Sequence, residues 1–216
     1  MNTHLTKLTL NNRNRYAMDD ISDCNKMHRT IMHAFPSLDD ISAIREHYSV
    51  LYRIENIAGR IVVIVQSNTE PDWSFLKEGY LLNIETKDIT SLIKGIRTKS
   101  QVRFKLKANV VKRSHSDGKR VFLSDEKEQS EWLDLKGHEF GFNVAKGNDG
   151  YELLYVMPNK RIYGHKKDMT IMVDTATYEG VIRVTDANKF MQALRNGIGR
   201  GKAYGCGMLS VMNINQ

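Results

Sequence analysis

Residues 49–68 read SVLYRIENIAGRIVVIVQSN. Two runs rich in Val, Ile and Tyr flank a short polar turn at Gly59, which is the pattern of a β-hairpin. Upstream, residues 3–10 (THLTKLTL) set Leu5, Leu8 and Leu10 among threonines, as a strand with one slip in its period. Between the two, Cys24, Met27, Ile31 and Phe35 recur at helical spacing behind Ser22 as N-cap, and Pro36 ends the helix. Downstream, Asp88 opens a second helix, DITSLIKGI, and residues 101–111 (QVRFKLKANVV) alternate charged with apolar residues as a half-buried strand does. The order is strand, helix, strand, strand, helix, strand. That is the split βαβ, ferredoxin-like arrangement, a four-stranded antiparallel sheet backed by two helices.

From about residue 119 the order repeats. KRVFLS reads as strand, DEKEQSEWLDLKG as helix, FGFNVAKG and EGVIRV as strands, DANKFMQALRNG as helix and AYGCGMLSV as the last strand. Residues 151–174 interrupt this copy with a further hairpin, whose basic, turn-rich tip MPNKRIYGHKKD lies between LLYV and MTIMV. The expected fold is therefore α+β: two tandem ferredoxin-like domains, residues 1–112 and 113–216, with an extra basic β-hairpin in the second.

With 41% hydrophobic residues and three prolines in 216, the composition is globular rather than disordered. No apolar run approaches the roughly 18 residues that span a bilayer, and the N-terminus lacks the continuous apolar core of a signal peptide. The expectation is a cytoplasmic protein. Cys24 and Cys206 are too few for a disulfide framework or a thiolate cage. His28 and His33 are five apart, off the i,i+4 spacing of a helical metal pair, so neither metal nor cofactor is expected. Asp19-Asp20 and Asp39-Asp40 read as helix caps at loop ends.

The net charge of +7 is unevenly placed. Between residues 94 and 120 lie Lys94, Arg97, Lys99, Arg103, Lys105, Lys107, Lys112, Arg113, Lys119 and Arg120, against Asp117 alone. Arg103, Lys105 and Lys107 alternate with Phe104 and Leu106, so one strand face presents cations about 6.6–7 Å apart, comparable to phosphates along a nucleic-acid strand. A second cluster, Lys160, Arg161, Lys166 and Lys167, occupies the hairpin. A nucleic-acid interface and a merely solvated face both fit this pattern, but the RNP1 signature of an RNA recognition motif is absent.

Residues 195–210, RNGIGRGKAYGCGMLS, carry Gly197, Gly199, Gly201, Gly205 and Gly207 at spacings that match neither a dinucleotide-binding fingerprint nor a P-loop. Two readings remain. The glycines let backbone N–H groups approach an anion beside Arg200 and Lys202, or Gly197 ends a helix while Gly205 and Gly207 are close-packed strand residues.

The segment NGIGRGKAYGCGMLSV resembles the C-terminal signature of the CRISPR repeat-processing endoribonucleases of the CasE type. MHRTIMHAFP (residues 27–36) is similar to that family's histidine-bearing helix, and RFKLKANVVKR (103–113) to its R-x-A-N-P-x-K strand, with Val110 in place of proline. The resemblance implies metal-independent cleavage of precursor CRISPR RNA at the 3′ base of the repeat stem-loop, leaving 5′-hydroxyl and 2′,3′-cyclic phosphate ends. Retention of the mature guide RNA follows, with other Cascade subunits as partners and no membrane. It selects His28 for proton transfer, since the attacking 2′-OH loses a proton and the leaving 5′-oxygen gains one. Asn25 stands where relatives often have tyrosine, and Arg29, His33 or a Lys from another loop could orient or stabilise the phosphate instead. His28 also lies on the apolar stripe of its helix, where a core histidine is the competing reading. That reading goes with a non-catalytic stem-loop-binding subunit, and a module for a small anion is a further alternative.

Overall fold

Strands β1 (His4–Leu10), β2 (Leu51–Ile57), β3 (Arg60–Ser67) and β4 (Leu81–Asp88) form an antiparallel sheet in the order β2-β3-β1-β4, the ferredoxin-like order. The structure is a computed structural model and describes residues 2–38, 41–114, 116 and 118–214. The β2–β3 turn places Ala58 at φ 50° and Gly59 at φ 77°, as a tight hairpin turn matched to strand twist requires. Register pairs Leu8 with Val63 and Val63 with Ile54, and Thr6 with Val65 and Val65 with Tyr52, so these side chains share one face. The slip in β1 is Leu5, which points to the other face. Helices α1 (Arg15–Ser22), α2 (Cys24–Met32) and α3 (Ile41–His47) contribute Ala17, Met27, Ile31, Met32 and Ile44 to the core on the Leu8 face. Each fully buried side chain among these large residues is worth about 1.5–3 kcal/mol.

Ser22 does not cap α2. It closes α1, a helix the spacing argument missed, and Asp23 is the cap, accepting from the Asn25 and Lys26 amides. Asn14 caps α1 in the same way. Asp19 and Asp20 lie inside α1 rather than at loop ends: Asp19 pairs with Lys26 at 2.6 Å, and Asp20 accepts from Thr30 Oγ1 and Tyr80 Oη. Asp39-Asp40 lies outside the described residues.

The fourth strand of the first sheet is β4, not residues 101–111. Past Leu81, β4 is exposed along its length, so this edge strand shows no buried alternation to read. The helix DITSLIKGI exists as α4 (Thr90–Gly95) but follows that fourth strand instead of preceding it. Strand β5 (Gln101–Ala108) does bury every second residue as expected, in the other sheet.

That second sheet combines β5 with β8 (Phe142–Val144), β10 (Met169–Val184) and β11 (Leu209–Asn213) in the order β11-β5-β10-β8, with β9 (Leu154–Lys166) paired to β10. Helices α5 (Glu126–Phe140) and α6 (Ala187–Asn196) complete a second ferredoxin-like unit. KRVFLS is not its first strand: β7 (Arg120–Phe122) pairs only with β6 (Val111–Arg113), in a separate two-stranded ribbon. Of AYGCGMLSV, only the residues from Leu209 are strand. The hairpin tip is not turn-rich, because β9 runs through Lys166 and the turn is Lys167–Asp168, with Lys167 at φ 53°.

The expected division at residue 112 is displaced. One compact unit comprises Met1–Lys94, Ile162–Val173 and Lys202–Gly205, and the other Gly95–Arg161, Asp174–Gly201 and Cys206–Gln216. The β5 strand and the β6–β7 ribbon thus belong wholly to the second unit, while the tip of the basic hairpin belongs to the first.

In the second unit a Cβ at Gly180 would lie 2.1 Å from the Leu153 carbonyl oxygen and 3.1 Å from Leu154 Cα. Backbone atoms cannot yield as a flexible side chain can. Gly180→Ala should therefore destabilise the protein by roughly 3 kcal/mol, read as a lowered midpoint in urea denaturation.

Candidate active site

The N-terminus of α2 and the tip of the β9–β10 hairpin meet within the first unit. Asp23, 4% exposed, accepts from the Asn25 amide at 2.9 Å and the Lys26 amide at 3.1 Å through Oδ1. Its Oδ2 accepts from the His165 amide at 2.9 Å and lies 2.9 Å from His165 Nδ1. Burial pushes the Asp23 carboxyl up, but the bonds from His165 and the α2 amides outweigh it and hold the group below its usual range. Asn25 Nδ2 donates to the His165 carbonyl at 2.8 Å.

One helical turn on, His28 is largely withdrawn from solvent. Burial is the main cause lowering its pKa from 6.5 to about 4, and the charges of Arg45 and Lys166 add to it. The ring is neutral at pH 7. Among the described residues, His28 Nδ1 is one of two buried side-chain polar atoms with no hydrogen-bond partner. Leaving a buried polar atom without a partner costs about 1–3 kcal/mol.

Lys202 lies in a short 3-10 helix, Lys202–Tyr204, anchored by Tyr52 Oη donating to the Ala203 carbonyl at 2.9 Å. Burial first, and the charge of Arg45 second, lower the Lys202 pKa, while Glu46 opposes the shift. The first unit therefore gathers His28, Arg45, Lys166 and Lys202. Arg29 and Lys167 are exposed in the same unit.

All five glycines of the 197–207 segment have positive φ, from 72° to 84°. Gly197 ends α6 as expected, whereas Gly205 and Gly207 are loop residues and not strand. The Gly197, Ile198, Cys206 and Gly207 amides donate to Ala193, Gly207, Gly201 and Lys107 carbonyls. Those four amides, including two of the five glycine amides, are spent inside the protein.

The remaining predicted cations fall in the second unit. Arg103, Lys105 and Lys107 do share the face of β5 opposite buried Phe104 and Leu106. Lys105 pairs with Glu179 at 2.7 Å, Lys112 with Glu128, and Arg161 with Asp174 through two bonds of 2.6 and 2.9 Å. Lys160 and Arg161 belong to this unit and not with Lys166 and Lys167. On the ribbon, Arg113 faces Arg120 across the strands, with Lys119 beside them and exposed. Arg200 is exposed, and its backbone bridges to Asn109.

Sequence reasoning missed Asp23, Arg45 and His165. An Asp immediately ahead of the helical run is a preferred N-cap residue, and that signal could have found Asp23. Nothing local announces His165, which is 142 residues away from Asp23.

The family model described as CRISPR associated protein matches residues 3–213. The chain is 35% identical over 214 residues to the CRISPR-associated endoribonuclease Cse3 of Thermus thermophilus, with 96% of this chain and 98% of that one covered. It is 26% identical over 206 residues to the CRISPR system Cascade subunit CasE of Escherichia coli, covering 88% and 92%. Among solved structures, Thermus thermophilus Cse3 bound to an RNA representing a pre-cleavage complex matches with a TM-score of 0.85 at 34% identity, over 98% of this chain and 100% of that one.

Because folding lowers the His28 pKa from 6.5 to about 4, the unfolded chain binds a proton in that window that the native protein does not. The stability linked to His28 is complete above pH 6.5 and is lost as pH falls toward 4, by roughly 3 kcal/mol in total. The His28 ring resonance should titrate near pH 4 by NMR, and His28→Gln should flatten the stability profile in this window.

Proposed function

The chain belongs to the CRISPR associated protein family as one of its Cse3-type endoribonucleases, and from that premise we propose that it binds the stem-loop of a CRISPR repeat transcript and cuts precursor CRISPR RNA at the 3′ base of the stem. The observation that carries the reading is His28: a neutral imidazole with an unpartnered nitrogen, flanked by two cations. A neutral ring accepts the proton of the attacking 2′-OH. The 2′-oxygen bonds to phosphorus and the bond to the 5′-oxygen breaks, giving a 2′,3′-cyclic phosphate and, once that oxygen gains a proton, a 5′-hydroxyl. Arg45 and Lys166 disfavour the imidazolium in the free protein, and a phosphate among them reverses this by raising the His28 pKa as it binds. The same cations, with Lys202, offset the charge growing on the phosphorane. No step calls on a metal ion.

The stem is held by Arg103, Lys107, Arg113, Lys119, Arg120, Lys160 and Arg200, with Arg29 and Lys167 contributing from the first unit. Lys105, Lys112 and Arg161 exchange their present carboxylates for phosphate or keep to a supporting part. Arg113 opposite Arg120 is unfavourable in isolation, and a polyanion relieves it. The cut leaves most of these phosphates in place, so the product stays bound, and the protein with its guide RNA joins a Cascade assembly, as its relative CasE is named for doing.

In EDTA, with a labelled hairpin of the cognate repeat, the protein should make one cut ending in a cyclic phosphate. His28→Ala should slow it by about 10²–10⁴-fold while leaving affinity in place; tight binding with no cut by either protein would return the chain to a stem-holding subunit. Replacing Lys166 and Lys167 together by Ala should weaken RNA binding and make the salt dependence shallower by about 0.7–0.9 for each phosphate that is no longer neutralised, measured by filter binding across a salt series.

A further inference from the structure

Gly164 and His165 lie against the first residues of the α2 helix more closely than packing alone requires. A Cβ at Gly164 would lie 2.6 Å from Cys24 Sγ, 2.9 Å from Asp23 Oδ1 and 3.0 Å from the Asn25 nitrogen. Only a residue without a side chain lets the hairpin approach this far. The approach is then fixed by three polar contacts on the neighbouring residue: Asp23 Oδ2 with the His165 amide and ring nitrogen, and Asn25 Nδ2 with the His165 carbonyl. Both backbone polar groups of His165 are thus held by side chains at the start of α2, and the next residue is Lys166.

We propose that Asp23 and Asn25 are positioning residues, which clasp the hairpin at Gly164–His165 so that the Lys166 ammonium is held beside His28 when the scissile phosphate enters. The proposal rests on the reading of His28 and Lys166 given above. Asp23 performs two tasks with two oxygens, since Oδ1 caps the helix that carries His28 and Oδ2 holds the strand that carries Lys166. The Asn25 side-chain amide is spent on the hairpin backbone, not on proton transfer. The charges that face His28 are Arg45 from α3 and Lys166 from the hairpin, and the clasp governs the second of them alone.

The test uses the full chain and repeat hairpin RNA under single-turnover conditions. Asp23→Asn keeps an oxygen able to cap α2, but whichever way its amide sits, its N–H₂ end faces other donors. Asn25→Asp sets a carboxylate oxygen against the His165 carbonyl and is favourable for the helix itself. Each should slow cleavage at least tenfold, with affinity for a 2′-deoxy, uncleavable RNA within threefold of the unaltered protein. In a Lys166→Ala background each should slow it less than twofold further, since the clasp acts through Lys166. Cleavage at the unaltered rate in both variants, or slowing that is undiminished when Lys166 is already absent, overturns the proposal. The coupling has a readout that needs no cleavage: by NMR, the His28 titration midpoint should rise in Asp23→Asn as it does in Lys166→Ala and no further in the double variant. A midpoint unmoved by Asp23→Asn overturns the clasp. Failure of the unaltered protein to cut any repeat RNA overturns the endoribonuclease reading instead, and the titration then decides the clasp by itself.

Discussion

One buried carboxylate, that of Asp23, joins the start of the helix that carries His28 to the strand that carries Lys166. Taking an anion out of water is costly, and here the cost is offset by two helix amides, a strand amide and an imidazole nitrogen, which leaves the group ionised despite its burial. The requirement works in both directions. The carboxylate draws on the hairpin for half of its partners, and the hairpin is held through the His165 amide by the same carboxylate. Two segments that share no helix or strand are thus joined at a point one helical turn from His28.

The hairpin of residues 49–68 was legible from its two β-rich runs about Gly59, and the alternation of residues 101–108 because that strand buries one face. The sheet to which residues 101–108 belong was not legible, because the true fourth strand, LLNIETKD, is an exposed edge in which period-two burial never develops. Helix α1 escaped notice for a similar reason, since it buries Ala17 alone among its residues. At the site, His28 stood on an apolar stripe and could be assigned a chemical role only through resemblance; its unsatisfied nitrogen and its two cationic neighbours are tertiary facts. The cation-rich face of β5 was plain in the sequence, whereas the carboxylates that pair with Lys105, Lys112 and Arg161 come from distant elements and were invisible there.

Two arrangements of like charge stand apart from the ion pairs. Arg113 opposite Arg120, and His28 kept neutral beside Arg45 and Lys166, are arrangements that cost free energy in the isolated protein. Under the proposed function, charge placed in advance does not have to be reorganised when a phosphate arrives, and in a site partly closed to water it acts at greater strength than it would in solution. Local repulsion in the free protein is the counterpart of that readiness.

The first unit is discontinuous: residues 1–94 supply its sheet and the His28 helix, but Ile162–Val173 and Lys202–Gly205 complete it. Synthesis proceeds from the N-terminus, so a growing chain can present the whole first sheet, with His28 in place, while the ammonium of Lys166 and the half-buried Lys202 do not yet exist. An incomplete chain, whether nascent on the ribosome or shortened by proteolysis, therefore carries His28 and Arg45 without Lys166 and Lys202.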